Sequence, residues 1–383
     1  MRNWQSVKLG DIADVVRGDT ITRKEVSPGE IPVIAGGKTP SCYHNVWNRE
    51  GKTITVSASG AYAGFVQYFD KPIFASDCST IKVKDETRIS PKFLFYMLQA
   101  MQVQIYAFQR GSGQPHVYPS QLVGLDLSIP NINEQYKTVE FLEDLLSRLE
   151  ASSADLSTSK KNLENLKLSW LQSKLVSRRK EFGYIRFGDT AETKLGKMLD
   201  AKNNFGIETP YLANINVRWG YIDTDSLKTV PLTQVNREHL LLEENDLLIC
   251  EGGEPGRCAI WRPKKRVEVT FQKALHRARA KPGFQIGFLQ LVLEHFVKSG
   301  SANSFFTGTT IKHLPQEKLR EIPVPNIPVD QQKVICDEAQ VFQASVDHLT
   351  KEITFADNRL QALRRALLES AFKSQIKNEV SSV

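Results

Sequence analysis

The chain carries nearly the same segment twice. Gly111-Ser112-Gly113-Gln114-Pro115-His116, then Leu122 and Pro130-Asn131-Ile132…Glu134-Gln135, lead into a long polar stretch that closes on Leu166-Lys167-Leu168-Ser169-Trp170-Leu171. Gly308-Thr309-Thr310-Ile311-Lys312-His313, then Leu319 and Pro325-Asn326-Ile327…Asp330-Gln331, lead into a second stretch that closes on Leu363-Arg364-Arg365-Ala366-Leu367-Leu368. A shift of 197 positions carries His116 onto His313, Leu122 onto Leu319 and Trp170 onto Leu367. Solenoid repeats have far shorter periods. A unit spanning half the chain points instead to a duplicated segment, and to two similar halves related by a pseudo-two-fold axis.

The strongest physical pattern lies in the two polar stretches. In the second, Ile335, Ala339, Phe342, Val346, Leu349, Ile353, Ala356, Leu360, Leu363 and Leu367 recur at alternating steps of four and three. That spacing is a coiled-coil seam. The first copy places Leu142, Leu145, Leu149, Ser152, Leu156, Ser159, Leu163, Leu166 and Trp170 at matching positions. Ser152 and Ser159 leave room for bulkier partners such as Phe342 and Ile353. Asn133 and Asp330, just after the Pro-Asn-Ile turns, are read as helix caps. Roughly 40 residues at ~1.5 Å each make rods of ~60 Å. Each rod follows one globular half, so the two are expected to pair antiparallel and hold the halves apart at opposite ends.

The stretches before the rods read as mixed α/β. Thr53-Ile54-Thr55-Val56-Ser57 alternates like a strand, a Gly60 to Gly64 turn follows, and Phe65-Val66-Gln67-Tyr68-Phe69 is strand-like again. A helix is expected from Ser90-Pro91, with proline at its first position and Phe93, Leu94, Met97, Leu98 and Met101 on its apolar face. Residues 181–328 repeat the order loosely: Phe187-Gly188-Asp189 echoes Leu9-Gly10-Asp11, Gly252-Gly253-Glu254-Pro255-Gly256 echoes the glycine turn, and Phe288-Leu289…Leu293 echoes the helix. The expected fold is α+β, with globular domains at 1–133 and 181–328, connector helices at 134–180 and 329–376, and a flexible tail at 377–383. The framework matches and the loops do not, which suggests two recognition modules with different targets.

A length of 383 residues suits two domains plus connectors. No run of 18 apolar residues is present and Met1-Arg2-Asn3-Trp4-Gln5-Ser6 has no signal core, so a cytoplasmic protein without a membrane span is expected. Cys42, Cys78, Cys250, Cys258 and Cys336 never fall in Cys-x-x-Cys, so no metal cluster or disulfide framework is expected. The net charge of +7 and pI near 9.0 favour a polyanionic partner.

No catalytic constellation emerges. Gly36-Gly37-Lys38-Thr39 resembles the end of a phosphate loop, but Pro32 stands where the motif needs glycine. The coinciding His116 and His313 sit in a repeated turn and read as structural. Binding chemistry is easier to find. The first half offers Arg17, Lys38, Tyr43, His44 and Arg110; the second offers Asn214, Asn216, Arg218, Arg257 and the run Lys264-Lys265-Arg266, followed by His276-Arg277-Ala278-Arg279-Ala280-Lys281. Arginine can bond guanine bidentately, asparagine can bond adenine, and lysine grips phosphate, so these are candidate DNA contacts.

The whole chain resembles the DNA-specificity subunit of type I restriction–modification systems. The similarity is most specific at Gly308-Thr309-Thr310-Ile311-Lys312-His313-Leu314-Pro315, running through Leu319 and Ile322-Pro323-Val324-Pro325 to Gln331-Gln332, and extends to Leu9-Gly10-Asp11 and Tyr211-Leu212-Ala213-Asn214-Ile215. Gln114-Pro115 departs from Ile311-Lys312 of the second copy. The resemblance implies two target-recognition domains, each reading half of a split, asymmetric site on double-stranded DNA, with the helices as ruler. It also implies two modification subunits that carry S-adenosylmethionine and methylate adenine, and restriction subunits with an ATP- and Mg-dependent motor and nuclease. This chain itself would hold no cofactor. The rival reading is a coiled-coil adaptor that binds only proteins; a third is an enzyme with an unfamiliar site.

Overall fold

β-Branched runs build the sheet of the first head. Thr53–Ser57 is buried on both faces and pairs antiparallel with Val66–Phe69 on one side and Cys78–Val83 on the other. Ala13–Arg17 extends that four-stranded sheet beyond Cys78–Val83. A three-stranded sheet sets Ile31–Ile34 between antiparallel Cys42–His44 and parallel Phe74–Ala75. The helix Pro91–Ala100 starts as its sequence dictates: Pro91 occupies the first turn and the Ser90 hydroxyl accepts the Phe93 N–H. Its Phe93, Leu94, Met97 and Leu98 are fully buried against Ile54, Ile81, Leu142 and Phe372.

The computed structural model describes residues 4–111, 113–176, 179–196, 205–263 and 267–373. The expected tail at 377–383 lies outside them. No helix among the described residues is long and apolar enough to cross a membrane.

The second head repeats the plan and adds a short hairpin that pairs Val217–Arg218 with Tyr221–Ile222. Leu247–Cys250 lies between Cys258–Ile260 and Leu275–Ala280, and Ala191–Leu195 takes the outer edge. Ile207–Leu212 lies between antiparallel Lys228–Leu232 and parallel Thr270–Phe271. The helix Ile286–Lys298 buries Phe288, Leu289 and Leu293. In the first head Gln5–Lys8 pairs with Asp126–Ile129, and in the second Tyr184–Arg186 pairs with Pro323–Pro325. The basic run 276–281 therefore belongs largely to a strand. His276 and Arg277 are buried, Arg279 is held by Asp246 at 2.6 Å and Glu243 at 2.8 Å, and Lys281 donates to the Gly188 carbonyl.

Two compact units divide the chain, one built from residues up to 157 and from 354 onward, the other from 158–353. The first long helix, Ile132–Leu175, and the second, Val329–Ala371, each contribute to both, the longer part of each going to the unit whose head precedes it in the chain. In the first unit Glu150 pairs with Arg364 at 2.8 Å and Ser153 donates to Asp357 at 2.7 Å. In the second, Trp170 stacks on Phe342 with ring centres 5.0 Å apart, and Lys174 pairs with Glu338 at 2.6 Å. Partner numbers fall along one helix as they rise along the other, so the pairing within each unit is antiparallel. Leu171 and Leu175 end the first helix in the core of the second unit, and Phe372, just past the second helix, packs edge-on against Phe93 in the first.

The seam differs in phase from the heptad expectation. Leu142 is buried and Leu149, Leu156, Leu163 and Trp170 are half-buried, but Ser153 and Lys167 turn inward in place of the expected Ser152 and Leu166, which are exposed with Ser159. In the second helix Phe342, Val346, Ile353, Leu360 and Leu367 are half-buried, while Thr350 and Arg364 replace the expected Leu349 and Leu363, which are 47% and 48% exposed. A strict heptad drifts ~20° per repeat from a straight helix, so burial follows the 3.6-residue period with an occasional extra step of four. The caps also move. Asn131, not Asn133, accepts the Glu134 N–H at 3.1 Å, and Asp330 lies inside the first turn of a helix that begins after Pro328.

Each connector is locked to its head by one buried amide. The Gln135 oxygen accepts the Ser90 N–H at 2.9 Å while its nitrogen donates to the carbonyls of Arg88 and Pro130. Gln332 repeats this with the Gln285 N–H at 2.8 Å and the carbonyls of Gly283 and Ile327. Both side chains are fully buried. Gln332→Leu strands a buried N–H and two carbonyls, and should lower unfolding free energy by roughly 3 kcal/mol in a denaturant titration; a loss below roughly 0.5 kcal/mol would show that the clamp contributes nothing.

His276 gives a pH dependence. Burial pushes its imidazole below the ordinary 6.5, and Nε2 lies 2.8 Å from the Leu314 carbonyl. The folded chain holds it neutral where the unfolded chain binds a proton, so this contribution is intact above pH 6.5 and is lost as pH falls from there toward the depressed folded value. His276→Gln retains an N–H for Leu314 and should flatten that acid limb when thermal midpoints are compared across about pH 5 to 8.

Candidate nucleic-acid interface

Three loops meet in each head, and the backbone of the meeting is duplicated. In the first head His116 exchanges backbone hydrogen bonds with Arg110 at 2.9 and 3.0 Å and forms a bridge to Ser59. The Gly60 N–H donates to the Pro115 carbonyl at 3.0 Å. In the second head His313 exchanges bonds with Thr307 at 2.8 Å and forms a bridge to Gly252. The repeated glycines are required by geometry. Gly111 and Gly308 sit at φ +103° and +88°, and a Cβ there would fall 2.6 Å and 2.2 Å from the carbonyl oxygens of Gln114 and Ile311. His116 and His313 are thus parts of a turn.

The third loop follows the middle strand of each three-stranded sheet, and there the contents diverge. In the first head Gly36 approaches so closely that a Cβ would lie 2.7 Å from the Ser59 carbonyl oxygen. Ser59 hydrogen-bonds the Asp77 carboxylate. Lys38 holds its Nζ 4.9 Å from the ring centre of Tyr62 and 5.3 Å from that of Phe65, a cation resting on aromatic faces. In the second head Asn214 occupies the matching loop and donates from Nδ2 to the Gly252 carbonyl at 2.6 Å. Arg257 is braced, giving one nitrogen to Glu254 at 2.9 Å and another to the Asn214 carbonyl at 3.0 Å.

The other candidates are placed unevenly. Arg17 is exposed at its strand end, where its carbonyl accepts from Arg49. Tyr43 is 55% exposed on an edge strand, and Arg110 is exposed. His44 is withdrawn: it is buried edge-on against Phe74, with Nδ1 3.0 Å from the Ser27 N–H. Asn216 is also buried, accepting the Ala213 N–H and donating to the Asp223 carbonyl, so it braces its own turn. Arg218 is half-buried opposite Tyr221. Lys264, Lys265 and Arg266 lie outside the described residues. Tyr62, Phe65 and Asp77 join the site without having been singled out by sequence; the aromatic-flanked glycine turn after Thr53–Ser57 was the signal for the first two.

Beside the second junction the helix Ile286–Lys298 meets the first long helix. Burial alone would raise the Glu294 carboxyl, but Lys167 and Lys298 hold it below its ordinary value. A cavity of about 750 Å³ opens here among Trp170, Trp219, Glu294, Lys298 and Phe342. Burial pushes the Cys78 thiol up to about 12 and those of Cys250 and Cys336 to about 11, which leaves them protonated at neutral pH. Among the described residues no group of three His, Cys, Asp or Glu could hold a metal ion.

The sequence model of the type I restriction modification DNA specificity domain matches residues 1–169 and again 179–354. The chain belongs to this family. This specificity chain is 20% identical to the type I restriction enzyme EcoDI specificity subunit of Escherichia coli, across 98% of its own length and 89% of that protein. It is 21% identical to the EcoKI specificity subunit of the same species, across 71% of its length and 62% of that protein. Two solved structures share its fold. One, from work on complex assembly and conformational transition of the type I R-M system, superposes with a TM-score of 0.73 at 15% identity, covering 96% of this chain and 97% of the other. The HsdS subunit of Thermoanaerobacter tengcongensis gives 0.52 at 16% identity, covering 97% of each.

Gly308→Ala tests the duplicated turn. The added methyl group meets strain and a backbone oxygen together, so stability should fall by more than about 1 kcal/mol, with the bridge from His313 to Gly252 lost. Unchanged amide exchange at Thr307 and His313 would contradict this.

Proposed function

We propose that the two heads are separate readers of double-stranded DNA, each taking one half of a split, asymmetric site. The observation that carries the reading is the paired three-loop junction, alike in its histidine turn and bridge and unlike in side chains. A cation on an aromatic platform occupies one junction, and an asparagine with a braced arginine occupies the other. The net positive charge of the chain suits phosphate, and exposed Arg17, Lys38 and Arg110 supply it locally.

The long helices serve as ruler and platform in this reading. Helices of 43 and 44 residues are ~65 Å long, comparable to two turns of duplex at ~34 Å each. Val334 and Val341 recur one heptad apart on the second helix, within the second unit, at 53% and 71% exposure. Such an apolar row suits protein partners, here two modification subunits that carry S-adenosylmethionine and methylate adenine, with restriction subunits supplying the ATP- and Mg-dependent motor and nuclease. The same row favours the second reading, a protein-only adaptor.

The two readings separate experimentally. With its modification partner, the chain should direct methylation of adenines in a divided motif with unlike halves, and exchanging residues 181–328 for those of a relative should change one half alone. Lys38→Ala and Arg110→Ala should each weaken duplex binding and flatten its dependence on log salt by up to about one unit. An undivided motif, or duplex binding without salt dependence, would favour the adaptor.

A further inference from the structure

A continuous line of side chains ties the second junction to the first long helix. Lys167 on that helix gives its Nζ to Glu294 Oε1 at 2.6 Å, and Lys298 shares the same oxygen at 2.7 Å. The Lys298 Nζ also lies 4.9 Å from the centre of the Trp219 ring. Trp219 Nε1 donates to Glu254 Oε1 at 2.6 Å, and Glu254 Oε2 accepts from Arg257 at 2.9 Å. Arg257 and Asn214 then complete the junction through the Asn214 carbonyl and the Gly252 carbonyl.

This line matters because of what it holds on the hairpin it reaches. Backbone bonds fix the turn itself, the Gly256 N–H donating to the Cys250 carbonyl and the Arg257 N–H to the Glu254 carbonyl, with Gly253 and Gly256 at φ +75° and +86°. The Glu254 carboxylate is left to its side-chain partners, and with it the orientation of the Arg257 guanidinium beside Asn214. One oxygen is held by the arginine it must orient and the other by Trp219. The first head solves the same problem differently, with Ser59 on Asp77 and Lys38 over Tyr62 and Phe65.

We propose that Trp219 is a positioning residue for reading by the second head: its indole N–H fixes Glu254, and its ring, capped by Lys298, sets that carboxylate against the connector. This rests on the reading of the heads as DNA readers. Trp219 acts through Glu254, Arg257 and Asn214 and is assigned no base of its own.

The test uses the full chain assembled with its modification partner. Methylation is measured on duplexes carrying the correct site and on duplexes with single-base changes in either half, the half belonging to the second head being defined by exchange of residues 181–328. Trp219→Phe keeps a ring for Lys298 and removes the N–H. Discrimination in the second half should fall about tenfold, the worth of one hydrogen bond to a charged group. Discrimination in the first half and the thermal midpoint should not change. Glu254→Ala should lose the same discrimination, and adding Trp219→Phe to it should cost nothing further. Glu254→Gln, which can still accept from the indole, should retain most of it. Full discrimination in Trp219→Phe, or an equal loss in both halves, overturns the proposal. A motif not divided in two would instead sink the reading of the heads; a divided motif with an indifferent Trp219→Phe sinks only the role of Trp219.

Discussion

Two buried amides hold this architecture to its plan. Val139, Leu142 and Leu146 pack the first long helix into its head and Ile335 does the same for the second, but apolar contacts alone define an exit angle loosely. Gln135 and Gln332 remove that freedom by satisfying one N–H and two carbonyls each, inside cores that exclude water. Unpaired, those backbone groups would be costly. The direction in which each connector leaves its head is therefore fixed by hydrogen-bond geometry as well as by apolar packing. Everything proposed for the helices, as ruler or as platform, depends on that fixed departure.

The helix pairs show how packing and charge divide the work. Stacked Trp170 and Phe342 fill space where both helices offer large residues. Toward the first head the seam is thinner, and Ser153 meets Asp357 while Glu150 meets Arg364. Exposed pairs of this kind add little stability. They do discriminate register, because a slip of one turn would leave Asp357 facing no donor at Ser153.

Much of the architecture was legible because duplication states each structural requirement twice. The Ser90-Pro91 helix start, the strand Thr53–Ser57 and the repeated Gly…His turns all follow from local chemistry, and the fold shows the turn glycines at backbone angles that other residues avoid. The seam was harder. Heptad spacing names a stripe, but whether a stripe stays inward over 40-odd residues depends on the drift between 3.5 and 3.6 residues per turn, and Leu349 and Leu363 lost their places to Thr350 and Arg364 by one residue. Site residues were least legible. His44 and Asn216 carry the right groups yet spend them on Ser27, Ala213 and Asp223, because a side chain's availability is set by neighbours distant in sequence. Glu294 and Lys298 have the spacing of an ordinary helical ion pair, and only the approach of Trp219 and Lys167 gives them a wider connection.

The chain order of the core residues carries a consequence for synthesis. Leu171 and Leu175, which complete the core of the second head, precede that head in sequence. Phe372, which packs on Phe93 at the centre of the first head, comes 279 residues after its partner. A ribosome therefore delivers the second head with these leucines already made, whereas the first head waits for Phe372 with a gap at Phe93. The half translated first is the half whose core closes last.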